Sequence, residues 1–353
     1  MNCILRGDAM KNTKKPSEKN KQHKHSHLYG VFAVTAAVLT LLFSGCAIKA
    51  PEPLPIPPAD REERLPVIAS EKTNFVTVYF ADTDYKFLLP VSYEISPTME
   101  YAKTALEMLL TGVPNNFAAA LLPEKTSLRF LYTTGNAKII YADFSENISS
   151  LSPERAALAI QSIVCTVLAN NLDYTLQIMV NGDIVPSIGG VNVSEPLGFT
   201  PPNADPTQNI DNMVTIYMAD TMVYYLIPIA VYTDGILTPQ KKAEFAIKTM
   251  LAFSEQNDMG LVPTLWAKTA LNNLEVKNSI AYVDFSSALL GYGGGSTAEY
   301  MMLNSLLYTL CSISGIEGMQ MLIDGEKINY MPEGSLVNTV LRADIPVNIT
   351  VRE

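Results

Sequence analysis

From Cys46 to the end the chain has no histidine: His23, His25 and His27 all lie before it. The commonest general base and a frequent zinc ligand are therefore missing from that whole stretch. Cysteine is almost as scarce. Cys3, Cys46, Cys165 and Cys311 are the full set, and the last two sit in apolar helical runs at non-equivalent places, where a thiol behaves as a small hydrophobe. No disulfide framework follows. Positive charge is scarce too. The chain has 25 Lys+Arg against 35 Asp+Glu; the first 45 residues hold seven basic and two acidic ones, leaving 18 against 33 and a formal charge of −15 from Cys46 onward. No basic patch appears there, which argues against nucleic acid or a polybasic membrane contact as partner.

The N-terminus supplies what the body lacks. Arg6, Lys11, Lys14, Lys15, Lys19, Lys21 and Lys24 precede an uncharged stretch from Leu28 to Ile48. A positive flank before an apolar core reads as a secretory signal, with the flank left on the cytoplasmic side. The stretch ends in Leu42-Phe43-Ser44-Gly45-Cys46, which resembles a bacterial lipobox. That resemblance implies cleavage before Cys46 and a lipid on its sulfur, although Phe43 stands where Leu is usual. The alternative is an uncleaved span, since about 20 apolar residues just cross a bilayer. Either way the body sits outside the cell, tethered to the membrane. Met10 is a more ordinary start than Met1. Residues 46–72 then carry PEPLPIPP, a proline density that favours an extended stalk.

The body repeats itself. VTVYFAD (76–82) matches VTIYMAD (214–220), LLP (88–90) matches LIP (226–228), YADFS (141–145) matches YVDFS (282–286), and QIMVNG (177–182) matches QMLIDG (320–325). Ordered matches at a slowly drifting offset of 138 to 143 indicate a duplication. The proline-rich segment 198–212 reads as a linker along which the copies could be cut into separately folding pieces. The expected layout is a signal peptide over 1–45, the lipidated stalk over 46–72, domains over 73–197 and 213–335, and a tail over 336–353 that could form a strand.

Each copy reads as α/β in the α+β sense: a small mixed sheet with two helices on one face. In the first copy, strands fall over 75–80, 86–93, 127–132 and 138–143. Ser96-Pro97 and Ser152-Pro153 are helix openers, and Gly112 is a closer. Asn181-Gly182 turns a hairpin between 175–180 and 183–188. In the second copy Thr238-Pro239 caps the first helix, Ser296-Thr-Ala-Glu299 reads as a capping box for the second, and Asp324-Gly325 makes the turn.

Few groups could carry chemistry. Asp143 and Asp284, in the repeated Y-x-D-F-S, could be catalytic or metal-binding, but the simpler role is to accept backbone N–H bonds at a turn. Asp82, Asp84 and Asp220 suit the same turn role. Gly291-Tyr-Gly-Gly-Gly-Ser296 precedes a helix but lacks a P-loop lysine, so a helix-entry loop is the better reading. Ser162 and Ser305 sit mid-helix without a base to activate them. The sequons at Asn147, Asn192 and Asn348 carry no weight in a bacterial lipoprotein.

VTVYFAD, FLLPV, ALEMLLTG, YADFS, AIQSIVCTVL and VNGDIVPSIGGVNVSEPL, with VTIYMAD, YLIPI, YVDFS, NSLLYTL and MLIDGEKI in the second copy, together resemble the GerMN domain of GerM-type sporulation and germination lipoproteins. The resemblance covers about 75–330. The second copy departs from it at 252–260 and lacks the closing SEPL. The resemblance implies two tandem GerMN domains like the ring-building modules of secretion systems. It also implies no catalytic residue and no cofactor or metal. The implied role is a scaffold in an envelope and sporulation protein complex that bridges mother cell and forespore. Tyr224-Tyr225 and Glu299-Tyr-Met-Met302 offer docking surface. The rival reading is a binding module for wall glycan or a germinant.

Overall fold

The computed structural model describes residues 63–69, 71–134, 137–253 and 259–350. The expected signal segment, Cys46 and most of the stalk lie outside the described residues. No helix among the described residues is long and apolar enough to cross a membrane.

The chain enters with a short strand, β1 (Arg64–Leu65), followed by β2 (Thr73–Ala81) and β3 (Leu88–Thr98). In β2 Val76, Val78 and Phe80 are fully buried and alternate with the less buried Phe75, Thr77 and Tyr79, until Ala81 at the strand end is buried as well. The expected helix opening at Ser96-Pro97 is corrected. Those residues extend β3, which still pairs Thr98 with Thr73 beyond a bulge, and α1 begins at Tyr101 and ends at Thr111. A residue before proline prefers extended backbone, so Ser96-Pro97 prolongs a strand as readily as it opens a helix. Gly112, at φ 110°, closes α1 as expected.

Next come β4 (Leu128–Thr134), β5 (Ala137–Phe144), α2 (Pro153–Leu168) and β6 (Thr175–Val180). Ser152 and Pro153 open α2, and its predicted face, Ala156, Ala159, Ile160, Ile163, Val164 and Val167, is buried throughout. Asn181 and Gly182 take the turn with positive φ. The strand expected over 183–188 does not form beyond its first bridge. Val180 pairs with Asp183, the chain leaves the sheet, and only β7 (Ser187–Ile188) and β8 (Val191–Asn192) make a small hairpin. Pro186 lacks the N–H a continued ladder would need, and the buried Gln177 side chain donates instead to Val193 O at 2.9 Å.

The second repeat has β9 (Met213–Ala219), β10 (Leu226–Tyr232), α3 (Pro239–Ala252), β11 (Leu271–Lys277), β12 (Ile280–Phe285), α4 (Gly295–Cys311) and β13 (Gly318–Ile323). A last strand, β14 (Ile349–Thr350), crosses back to the first repeat and lies parallel to β3. Each repeat is thus mixed α+β, as the periodicity indicates, but its sheet comes in two pieces. One is an antiparallel pair (β2–β3, β9–β10); the other is a mixed ladder (β4–β5–β6, β11–β12–β13). In the first repeat β1 adds a further strand beside β4.

The long helix explains the split. It lies along the free edge of the antiparallel pair and satisfies that edge with side chains. Ser162 Oγ donates to Tyr79 O at 2.5 Å, and Thr166 Oγ1 accepts from Tyr79 N at 3.1 Å. In the second copy Ser305 and Thr309 do the same to Tyr217, at 2.6 and 3.0 Å. A sheet edge held this way has no need of another strand.

The two repeats meet at the opposite edges, β3 and β10, and form one unit over 62–353. Two asparagines stitch the seam. Asn203, from the proline-rich linker, accepts from Leu88 N at 2.6 Å and donates to Leu88 O and Pro228 O at 2.9 and 2.8 Å. Asn348, from the tail, accepts from Leu226 N at 2.8 Å and donates to Leu226 O and Pro90 O, both at 2.7 Å. Both sit at positive φ, 61° and 53°, which asparagine tolerates. Pro90 and Pro228 lie opposite Tyr79 and Tyr217 in their ladders. Those tyrosines turn their N–H groups toward the helix, so each proline nitrogen faces the seam, where it has no hydrogen to leave unpaired. The repeated LxP motif is a seam residue.

Candidate interaction surface

Every polar residue singled out for chemistry in the body has a structural partner. Asp143, 2% exposed, accepts from Gly182 N at 2.8 Å and pairs with Arg129 at 3.1 Å. Asp284 accepts from Gly325 N at 2.8 Å. Both pin the turn after the following parallel strand rather than the turn just after themselves. Asp82 accepts from Lys86 N and Phe87 N at 2.7 and 2.9 Å, and Asp220 from Tyr224 N and Tyr225 N at 2.6 and 2.8 Å. Asp84 stays at the surface beside Lys86, at 3.6 Å. Among the described residues no three His, Cys, Asp or Glu side chains gather as metal ligands would. Cys165 is buried, and burial pushes its thiol well above the usual range. Ser162 and Ser305 spend their hydroxyls on strand carbonyls.

The capping box expected at Ser296–Glu299 does not form. Helix α4 starts two residues earlier, with Gly294 rather than Ser296 at the N-cap, and Glu299 turns away from its own N-terminus. At 1% exposure it accepts from Glu333 N and Ser335 N at 2.7 and 2.9 Å and from the Tyr292 hydroxyl. Burial pushes this carboxyl up, but the bonds from Ser335, Tyr292 and Glu333 outweigh it and hold the carboxyl below its ordinary value. Tyr292 is driven the other way, by burial and then by Glu299.

What the fold leaves open is an aromatic surface at the seam. Tyr224 ends the β9–β10 turn and stacks on Phe117 of the first repeat at 4.3 Å. Tyr225 beneath it is buried and accepts from Asn115 Nδ2 at 2.7 Å; burial raises its phenol to about 12. Tyr300, on the outer face of α4, and Ile349, on β14, close the other sides of a shallow recess of about 100 Å³ that also reaches Asn304 and Tyr308. Tyr224, Tyr300 and Ile349 are 49%, 56% and 39% exposed. The two Tyr-rich stretches picked out in the sequence, 75 residues apart, thus line one recess. Their neighbours Met301, Met302 and Glu299 turned inward. No charged residue is among the described residues lining it, although the chain carries a net −10. Tyrosine-rich, charge-poor surface is the composition of protein-binding patches. Sequence reasoning missed Asn203 and Asn348, which hold the seam, and the second of them also lines this recess. Their spacing of 145 continues the drift of the repeat offset and could have paired them.

Two stretches of the chain, 77–185 and 215–329, match the family model described as Germane, sporulation and spore germination. A solved structure, the tandem GerMN domains of the sporulation protein GerM from Bacillus subtilis, is similar with a TM-score of 0.56 at 19% identity, covering 76% of this chain and 100% of that one. The first GerMN domain of that GerM matches at 23% identity with a TM-score of 0.33, over 38% of this chain and 98% of that one. A putative lipoprotein from Clostridium perfringens matches at 14% identity with a TM-score of 0.28, over 40% and 94%. No curated protein matches the sequence significantly. The likeness to the tandem structure establishes the fold: two GerMN-like units in series.

Proposed function

Since the chain belongs to the Germane family of sporulation and spore germination, we propose that it is a non-enzymatic lipoprotein scaffold of the sporulating cell. In this reading Cys46 carries the lipid and holds the body on the outer face of the cell membrane. The two repeats then dock partner proteins of the secretion-like complex between mother cell and forespore, and the protein serves again in germination. The observation that supports docking is the neutral aromatic recess beside the seam, lined by the second repeat and by a tail strand that pairs with β3 of the first. Exposed tyrosines supply large, rigid contact area of the kind that dominates interface energy. The structural partners of Asp143, Asp284, Ser162 and Ser305 support the non-enzymatic part, because catalysis needs a base, a nucleophile and an oxyanion donor converging on one point.

The docking reading is tested in sporulating cells by placing a photoreactive phenylalanine analogue at Tyr300, with Tyr330 as control. Tyr330 is also exposed, at 62%, but lies outside the recess. Crosslinks to a small, reproducible set of envelope proteins from Tyr300 alone are expected; equal or absent crosslinking at both sites removes the reading. Anchoring is tested separately. Metabolic palmitate labelling should be lost in Cys46→Ala, and label that persists puts the lipid elsewhere.

A further inference from the structure

The second repeat holds a cavity beside the entry to α4. It has a volume of about 720 Å³ and is walled by Phe253, Trp266, Tyr292, Ala298 and Met302, with Lys268 at its edge. That volume lies within the usual span of small-molecule sites, which combine apolar and aromatic walls with a few placed polar groups. Its origin can be read by aligning the repeats. The Y-x-D-F-S motifs are 141 residues apart, but the helix serines that follow, Ser162 and Ser305, are 143 apart. The entry to α4 is therefore two residues longer than the entry to α2. The added glycines sit among Gly291, Gly293, Gly294 and Gly295; at Gly293 and Gly295 a methyl group would meet nothing within 4 Å. Where the first repeat has Pro123, the second has Trp266, the chain's only tryptophan. Where the first has the buried Leu151, the second has the half-buried Tyr292.

The walls are held in place. The Tyr292 hydroxyl is bound by the buried Glu299 carboxylate, which also grips the loop at Glu333 and Ser335. Gly291 leaves room beside the Trp266 indole, whose Nε1 would lie 3.9 Å from any added Cβ. Trp266 is 40% exposed, with much of its ring unspent on the core. Lys268 is the one charged residue among the described residues lining the cavity, and it takes part in none of their ion pairs. A single unpaired cation next to pinned aromatic faces, in a chain this acidic, selects an anion that also carries a flat, weakly polar face.

We propose that this cavity binds a carboxylate-bearing pyranose, an acidic sugar of the kind a glycan can present. The C–H face of the ring would lie on Trp266 and Tyr292, because polarised C–H bonds are attracted to the negative face of an aromatic ring. The carboxylate would meet Lys268 in a charge-assisted bond. This goes beyond the docking reading and is independent of it, since the seam recess shares no lining residue with this cavity.

The single tryptophan makes the test direct. Full-length protein is titrated with the disaccharide N-acetylglucosamine–N-acetylmuramic acid, which has a carboxylate, and with chitobiose, which has none, while Trp266 fluorescence is read. Ligand-detected saturation-transfer NMR serves as a second measurement that needs no tryptophan. A saturable fluorescence change with the acidic disaccharide is expected, weakened about tenfold or more in Lys268→Ala, and lost from the NMR signal in Trp266→Ala at unchanged melting temperature. Chitobiose should bind more weakly and be indifferent to Lys268→Ala. Co-sedimentation with purified wall sacculi assigns the sugar to a polymeric strand, and disaccharide binding without it assigns a free sugar; both uphold the site. Absence of saturable binding by both methods overturns the proposal, as does equal binding to Lys268→Ala. Preference for an N-acetylated aromatic amino acid over the disaccharide would make it a peptide site and overturn the sugar assignment.

Discussion

The two repeats hold the same loop against the same helix by opposite means. In the first, Gly189 packs so closely on α2 that an added Cβ would lie 2.6 Å from the Ala156 methyl and 3.0 Å from Leu151 O. In the second, Glu299 occupies the position of Ala156 and holds residues 333 and 335 by accepting their N–H groups. One contact is a matter of shape, the other of charge. Around them the polar framework is unchanged. Ser162 and Ser305, Thr166 and Thr309, Gln177 and Gln320, Asp143 and Asp284, and Asn203 and Asn348 each make the same bonds to backbone in both copies. The lesson is that the polar residues repeated in this duplication are those that satisfy buried backbone. The faces that could serve function, Tyr300 opposite Ala157 and Trp266 opposite Pro123, are the ones that differ.

The strongest way to break this comparison is at the seam, where the copies are most alike. Asn203→Ala and Asn348→Ala each remove three hydrogen bonds to strand backbone, at about 0.5–1.5 kcal/mol apiece. Each should therefore destabilise by about 2–4 kcal/mol in urea denaturation, by similar amounts. The double variant should split one unfolding transition into two. If one asparagine carries nearly all the effect, the seam is not the symmetric stitch described above.

The contrast between shape and charge is sharpened by pH. Glu299→Gln should cost about 1.5–3 kcal/mol near neutrality, since it loses charged hydrogen bonds in a buried place. The Glu299 carboxyl is held below its ordinary value of 4.5 in the fold. Its contribution is therefore full above that value and fades as pH falls through the lower folded one. In acid the wild type should approach the Gln variant, and the gap between their melting temperatures should close. Gly189→Ala, at φ +55° with no room for a Cβ, should cost about 1–3 kcal/mol, and the cost should not change with pH. A pH-dependent Gly189→Ala, or a pH-independent Glu299→Gln, would erase the distinction.

A smaller difference is expected in the repeated aspartates. Asp143 is buried and paired with Arg129, whereas Asp284 is half-exposed with one backbone partner. Asp143→Asn should lose about 1.5–3 kcal/mol, and Asp284→Asn less than half of that, both read as melting temperature. Should either variant melt normally, accumulate normally and yet block spore formation, its carboxylate is functional rather than structural.

Much of this was legible in the sequence because strand alternation and helix stripes are local signals. The buried face of α2, the first five strands expected in the first copy, the Asn-Gly turn and the turn role of Asp82 and Asp220 all follow from spacing, whereas the strand expected over 183–188 does not form. The errors arose where one signal served two structures. Ser-Pro opens α2 at 152–153 but continues β3 at 96–97, and nothing local separates the two. Ser296–Glu299 has the spacing of a capping box, yet Glu299 found donors more than thirty residues away, a choice only the folded loop decides. The linker was read from its prolines; Asn203 inside it is a tertiary contact without local pattern. Trp266 and Tyr292 are 26 residues apart, and only the fold makes them walls of one cavity.

Whether the seam recess is a docking surface is decided by one paired measurement. Tyr300→Arg puts a long charged side chain in the middle of the neutral recess; Tyr330→Arg makes the same change at an equally exposed tyrosine of the same repeat. Spore yield is compared at matched protein level and matched melting temperature. A docking recess predicts a severe loss of spores with Tyr300→Arg and a normal yield with Tyr330→Arg. Normal yields from both, or equal losses from both, would contradict it.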